Sequence, residues 1–87
     1  MDPEEKIWSR SASVPLRSLS SHHAKDNRRV VSHVECAYNY ALQRAEATVA
    51  KLEQKTGKRA VDRLYETQFV PVKNHVNLRV RITFYLA

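Results

Sequence analysis

The sequence contains almost no glycine or cysteine. One of its 87 residues is glycine and one is cysteine. A glycine-rich loop that holds phosphates needs several glycines, so this kind of nucleotide site is excluded. A single cysteine cannot form an internal disulfide, and Cys36 is typical of a free thiol in an intracellular protein. We therefore expect a cytoplasmic or nuclear location.

Long apolar runs are also missing. A helix that crosses a membrane needs about 20 mostly apolar residues, and no run of the sequence approaches that length. The chain opens with Met1-Asp2-Pro3-Glu4-Glu5, which is acidic where a secretory or mitochondrial signal is basic. We expect no membrane partner.

Residues that could carry catalysis or hold a metal are few. Cys36 falls within a predicted helix with no neighbouring base, so we interpret it as a small buried hydrophobe. The four histidines show no pair at the spacing of metal ligands on a helix; they are His22, His23, His33 and His75. We expect no enzyme, no metal and no cofactor.

Basic charge is plentiful and unevenly distributed. The net charge is +6, and residues 57–87 carry six basic against two acidic side chains, whereas residues 30–56 carry three of each. An excess of this kind favours a polyanionic partner, which is either a nucleic acid or an acidic protein surface.

The first third of the chain has the composition of a tail. Residues 9–29 hold six serines, several basic residues and only scattered apolar ones. Such a segment buries too little apolar area to offset the entropy lost on ordering. We predict a Ser/Arg-rich N-terminal tail over residues 1–29 and a small α+β oligomerisation or binding domain over residues 30–87. An additional first strand at Ser13–Leu19 is an alternative.

The domain begins with one long amphipathic helix. Apolar residues recur at alternating steps of three and four, which predicts a helix from Arg29 or Ser32 to about Lys55. Gly57 suits the left-handed position that follows a helix. The stripe consists of Val31, Val34, Tyr38, Ala41, Ala45, Val49 and Leu52.

The C-terminus is predicted to be a β-hairpin. Val76–Leu86 alternates apolar and polar residues without a break, as a strand with one buried face does. Residues 58–70 are compatible with helix or strand, and Pro71 favours a strand over their second half. Val72–His75 then makes a turn, with Asn74 able to take a left-handed conformation. The fold class is therefore α+β, with the helix packed on a small antiparallel sheet.

A small sheet with open edges suggests self-association. The polar face of the last strand offers a second surface, because Arg79, Arg81 and Tyr85 alternate along it. Phosphates and stacked bases need that combination, although any half-buried strand must place polar groups outward. Further candidates for the nucleic-acid surface are Lys55, Lys58, Arg59, Arg63 and Lys73.

The tail contains a possible phosphorylation motif. Arg10-Ser11-Ala12-Ser13-Val14-Pro15 resembles the ligand of 14-3-3 proteins, in which a phosphate on the second serine meets an arginine cluster. Arg10, Ser13 and Pro15 carry this match. A 14-3-3 protein is therefore a candidate partner, and the protein would then be a phospho-regulated adaptor.

Two segments resemble dodecins, which are small flavin-binding proteins of β-α-β-β order that form hollow dodecamers. Ala37–Val49, with Arg44-Ala45-Glu46-Ala47-Thr48-Val49, is similar to their single helix, and Leu78–Phe84 is similar to their ending. The resemblance implies a helix on a hairpin and oligomerisation. The flavin-stacking tryptophan that follows the helix in that family is absent, and Leu52-Glu53-Gln54-Lys55 stands there.

Two functions from different classes follow. The first is a non-enzymatic basic subunit that self-associates and contacts nucleic acid, RNA in particular, or a larger complex through the sheet face and the tail. The alternative is a dodecin-like oligomer that binds a small ligand such as a flavin.

Overall fold

One helix and three strands make up the fold. The structure, a computed structural model, describes residues 6–16 and 27–87. The elements are β1 (Ile7–Leu16), α1 (Asn27–Thr56), β2 (Ala60–Val72) and β3 (His75–Leu86). The sheet has the order β1-β3-β2, and both neighbouring pairs are antiparallel. The predicted α+β class, with one long helix and a C-terminal hairpin, is confirmed.

The central strand β3 supplies most of the core. Its alternate residues Leu78, Val80, Ile82 and Phe84 are all buried, which confirms the strict alternation predicted from the sequence. The strand lies in the middle of the sheet because β1 and β2 pair with its two edges. Its backbone groups are therefore hydrogen-bonded on both sides, and its apolar face lies under the helix.

Small residues bring α1 close to the sheet. Ala41, Ala45 and Val49 have no exposed surface and pack against the buried side chains of β3. The helix ends where the sequence predicts. Gly57 takes a left-handed conformation, with φ of 72°, and its N–H donates to the carbonyl of Glu53 at 2.8 Å.

The predicted tail is wrong for one segment, because Ile7–Leu16 is a strand of the sheet. Trp8, Ala12, Val14 and Leu16 pack on the core, and serines alternate with them on the other side. Composition alone underestimated this segment, because a half-buried strand needs an apolar residue at only every second position. The alternative strand at Ser13–Leu19 overlaps β1 over residues 13–16, and residues 17–19 lie outside the described residues.

Strand β2 extends over the whole segment that was ambiguous in sequence. A bulge between Val61 and Leu64 explains the ambiguity, because it places both residues on the same face although they are three apart. Asp62 within the bulge has φ of 53°. In the hairpin turn the left-handed residue is Lys73, with φ of 44°, and not Asn74 as predicted.

The helix covers only part of the sheet. It packs on β1 and β3 and leaves the same face of β2 largely uncovered. Tyr65, Thr67 and Phe69 of β2 lie beside Ile82, Val80 and Leu78, yet all three are exposed. We call these three residues the open flank. Phe69 alone has 58% of its surface accessible.

Replacing Ile82 by alanine tests the central role of β3. Ile82 is fully buried, so the substitution Ile82→Ala should lower the free energy of unfolding by about 2–5 kcal/mol. Urea denaturation followed by far-ultraviolet circular dichroism measures this. The control Val76→Ala, at an exposed position of the same strand, should cost about 1 kcal/mol or less. Equal losses in both variants would contradict the described core.

Candidate binding face of the sheet

The face of the sheet opposite α1 presents the polar half of β3. We call it the outer face. Within the described part of the chain no element covers it, since α1 packs on the opposite side. The residues of β3 on this face are Asn77, Arg79, Arg81, Thr83 and Tyr85.

Two arginines lie at the middle of the outer face. Arg79 is in register with Ser13 of β1 and Gln68 of β2, which are both uncharged. Arg81 is in register with Ser11 and Glu66, and its Nη2 lies 3.3 Å from a carboxylate oxygen of Glu66. Among the described residues Arg79 has no carboxylate partner within 4 Å, so its charge is the more available of the two.

One end of the outer face is apolar. Tyr85 lies between Ile7 of β1 and Val61 of β2, and Leu64 is the partner of Thr83. Ile7 and Leu64 are exposed on this surface. The outer face therefore combines cations at its middle with an aromatic ring and aliphatic side chains at its end.

The structure brings only some of the other predicted cations to this end. Lys55, Lys58 and Arg59 lie where α1 passes into β2, and the backbone of Arg59 exchanges two hydrogen bonds of 2.9 Å with Ala87 just past β3. They are thus near the end that carries Tyr85. Lys73 lies in the hairpin turn at the opposite end. At about 3.3 Å per residue, β3 separates these two ends by about 40 Å.

Arg63 is not part of the outer face, although the sequence placed it in the basic patch. It follows the bulge residue Asp62 and turns toward α1. Its Nη1 lies 2.7 Å from Glu46 and its Nη2 lies 3.5 Å from Glu53. The bulge changes which face a residue occupies, and period-two counting did not reveal this.

Arg63 belongs to a polar cluster that joins β2 to the helix. The Tyr65 hydroxyl donates to Glu46, and Glu53 accepts the backbone N–H of Ala60 at 2.8 Å. The neighbouring Tyr65 hydroxyl and then the Glu46 carboxylate raise the pKa of Arg63, whereas burial opposes the shift. The guanidinium stays charged. The signal in the sequence was the pair Glu46 and Glu53, which lie seven residues apart on one side of the helix.

The predicted 14-3-3 motif lies within β1. Ser13 and Pro15 are exposed on the outer face, in register with Arg79 and Asn77. Arg10 lies in register with buried Ile82, and its guanidinium carbon is 5.6 Å from the centre of the Trp8 ring. A 14-3-3 protein would bind this segment as an extended peptide, so β1 would first have to leave β3. The predicted partner stays a prediction.

Cys36 differs from its interpretation as a buried hydrophobe, because the structure exposes it. The neighbouring Ala37 occupies the buried position on the helix instead. In residues 6–16 and 27–87 no three His, Cys, Asp or Glu side chains come together as a metal site. His22 and His23 lie outside these ranges. Over the same ranges no helix is both long and apolar enough to cross a bilayer.

The chain was compared with models of protein families, with curated proteins and with solved structures, and none of them matches it. The β-α-β-β order of the elements agrees with what the dodecin resemblance implies for the fold. The resemblance itself stays a prediction. The argument for function therefore rests on the geometry of the outer face and of the open flank.

The polar cluster gives a prediction about stability. Arg63→Gln removes ion pairs to Glu46 and Glu53, so the free energy of unfolding should fall by about 1 kcal/mol. The control Arg59→Gln removes an equal charge from an exposed neighbour and should leave stability within about 0.5 kcal/mol. Urea denaturation of Arg63→Gln, Glu46→Gln and the double variant measures the coupling. Strictly additive losses would show that Arg63 and Glu46 do not interact.

Proposed function

We propose that this protein is a non-enzymatic, self-associating subunit that binds single-stranded nucleic acid, RNA in preference, on the outer face of its sheet. The observation that carries the proposal is the row of Arg79, Arg81 and Tyr85 along the central strand, on a face that α1 leaves free. An acidic protein surface is the alternative polyanionic partner.

The chemistry of the outer face suits a single strand. Guanidinium groups pair with phosphates, and the hydroxyls of Ser11 and Ser13 beside them donate to phosphate oxygens. The ring of Tyr85, with Ile7 and Val61 on either side, offers an apolar surface on which an unstacked base can lie. Duplex recognition usually places a helix or a two-stranded ribbon in a groove. Here the sheet is a broad layer backed by its helix.

Removing the two arginines tests the proposal. Arg79→Gln/Arg81→Gln should weaken binding of a fluorescent 12-nucleotide oligouridine and lower the slope of log K against log salt by about 2. Fluorescence anisotropy at several salt concentrations measures both quantities. Tyr85→Ser should weaken binding by about 1–3 kcal/mol without changing the slope.

Arg44→Gln/Lys51→Gln is the matched control. It removes the same total charge from exposed positions of α1, away from the outer face. It should leave affinity nearly unchanged. Equal losses in both double variants would mean that net charge alone attracts the RNA, and no binding at low salt would reject the proposal. An acidic protein partner would depend on the arginines and not on stacking by Tyr85.

Self-association is the second element of the function, and the open flank favours it. The buried core is small and four of its members are alanines: Ala37, Ala41, Ala45 and Ala60. A core of this size leaves little stability in reserve. A second copy of the chain can cover Tyr65 and Phe69 with its own open flank, since a two-fold axis pairs identical patches.

The sheet edges offer a poorer contact than the open flank. Each outer strand carries a proline, Pro15 in β1 and Pro71 in β2, and a proline has no N–H to donate to an added strand. The bulge at Asp62 disturbs the edge of β2 further. We therefore propose that two copies meet by faces and not by edge-to-edge pairing.

Two aromatic residues of equal exposure provide the test. Phe69→Ser changes the open flank, and Tyr40→Ser changes the solvent side of α1, where 56% of Tyr40 is accessible compared with 58% of Phe69. Size-exclusion chromatography with light scattering should show the oligomer lost in Phe69→Ser and kept in Tyr40→Ser. A monomeric wild-type chain, or equal effects of the two substitutions, would contradict this assignment.

The dodecin-like alternative has less support from the geometry. Within β2, the strand that follows the helix, no tryptophan is present for a flavin to stack on. The one tryptophan, Trp8, packs on the core, and the Lys6 ammonium lies 4.4 Å from the centre of its ring. Flavin binding stays the alternative prediction for the small-ligand class.

A further inference from the structure

We infer that Ser13 is a phosphorylation site and that its phosphate is captured by Arg79 and Arg81 of the same chain, which closes the outer face to polyanions. The capture is independent of any nucleic acid. Its effect on binding rests on the proposed function.

The register of β1 and β3 carries the inference. Ser13 is exposed on the outer face and is the direct partner of Arg79. Directly paired residues have Cβ atoms about 5 Å apart, and diagonal neighbours such as Arg81 lie about 7–8 Å away, within reach of a long side chain. A phosphate on Ser13 would therefore lie between two guanidinium groups.

The two arginines are free enough to take the phosphate. Arg79 has no carboxylate within 4 Å in the described part of the chain. The contact of Arg81 with Glu66 is long, at 3.3–3.4 Å, and both side chains are about 40% exposed. An exposed pair of this kind is weak. A phosphate with close to two negative charges and three acceptor oxygens competes well for the same guanidinium.

The sequence around Ser13 suits a basophilic kinase. Arg10 precedes Ser13 by three residues, and β1 is an outer strand whose second edge is unpaired. In the reaction the Ser13 Oγ forms a P–O bond with the γ-phosphorus of ATP while the bond from that phosphorus to the β–γ bridging oxygen breaks. ADP leaves, and the hydroxyl proton passes to the kinase.

Phosphorylation would reverse the charge at the middle of the outer face. Arg79, Arg81 and Glu66 together carry one positive charge, and a phosphate with close to two negative charges makes the sum about −1. The same two arginines that would bind a phosphate of RNA are then occupied. A single modification thus blocks and repels the ligand.

The modification itself is tested with the full-length chain, ATP and cyclic-AMP-dependent protein kinase. Mass spectrometry should locate phosphate on Ser13 and not on Ser9, which has no arginine three residues earlier. Arg10→Gln should abolish the reaction. No incorporation at Ser13 would overturn the assignment of a kinase site.

The capture is tested on the chain carrying phosphoserine at position 13 by genetic code expansion. Phosphorus NMR titration should show the second pKa of the phosphate lowered by about one unit from its usual value near 6, because the arginines favour the dianion. In the Arg79→Gln/Arg81→Gln background the pKa should return to about 6. Phosphoserine at position 9, whose direct partner is Thr83, should shift less. Equal pKa values in the two backgrounds would overturn the capture.

The effect on binding is measured separately. Phosphoserine at position 13 should weaken binding of the oligouridine at least tenfold, with no loss of thermal stability. A lowered pKa without RNA binding by the unmodified chain would reject the proposed function and leave the capture standing. RNA binding unaffected by the phosphate would reject the regulation. A destabilised β1 together with binding to a 14-3-3 protein would replace capture by the adaptor mechanism.

Discussion

The two faces of β3 are the constraint on which the remaining structure depends. Four successive inward side chains, from Leu78 to Phe84, must be removed from water, and only α1 lies close enough to cover them. That requirement fixes the helix over β3 and β1, and the small side chains Ala41 and Ala45 set how closely it approaches. The outward half of the same strand is consequently left on a face with no layer above it in the described residues. The candidate binding face is thus a direct product of how the core forms.

A second interaction determines what happens at β2. The bulge at Asp62 turns Arg63 toward Glu46 and Glu53, and these ion pairs tie one end of β2 to the helix. Farther along the strand no such tie exists, and Phe69 extends beyond the edge of the helix with most of its ring exposed. The open flank therefore begins where the polar cluster ends. One short irregularity both removes a cation from the outer face and leaves an aromatic surface uncovered.

Much of this fold follows from the sequence, and the exceptions have physical causes. The helix, its end at Gly57 and the last strand were predictable because their apolar residues recur with one unbroken period. Strand β1 was missed because alternating serines gave it the composition of a tail, and its pairing with β3 depends on residues more than 60 positions away. The start of β2 was ambiguous because a bulge shifts the period there. The arginines of the outer face were predictable from alternation, whereas their neighbours Ser11, Ser13 and Glu66 depend on register, which no single strand encodes.

The prolines of the two outer strands have a consequence for the long-term solubility of the protein. Val76–Leu86 is a segment of high β-propensity that could template cross-β stacking if its edges were free. In this fold it is enclosed between β1 and β2, and those strands carry Pro15 and Pro71. Each proline interrupts the row of N–H donors that an incoming chain would need. The most aggregation-prone sequence of the molecule is therefore shielded by the two strands least suited to continue the sheet.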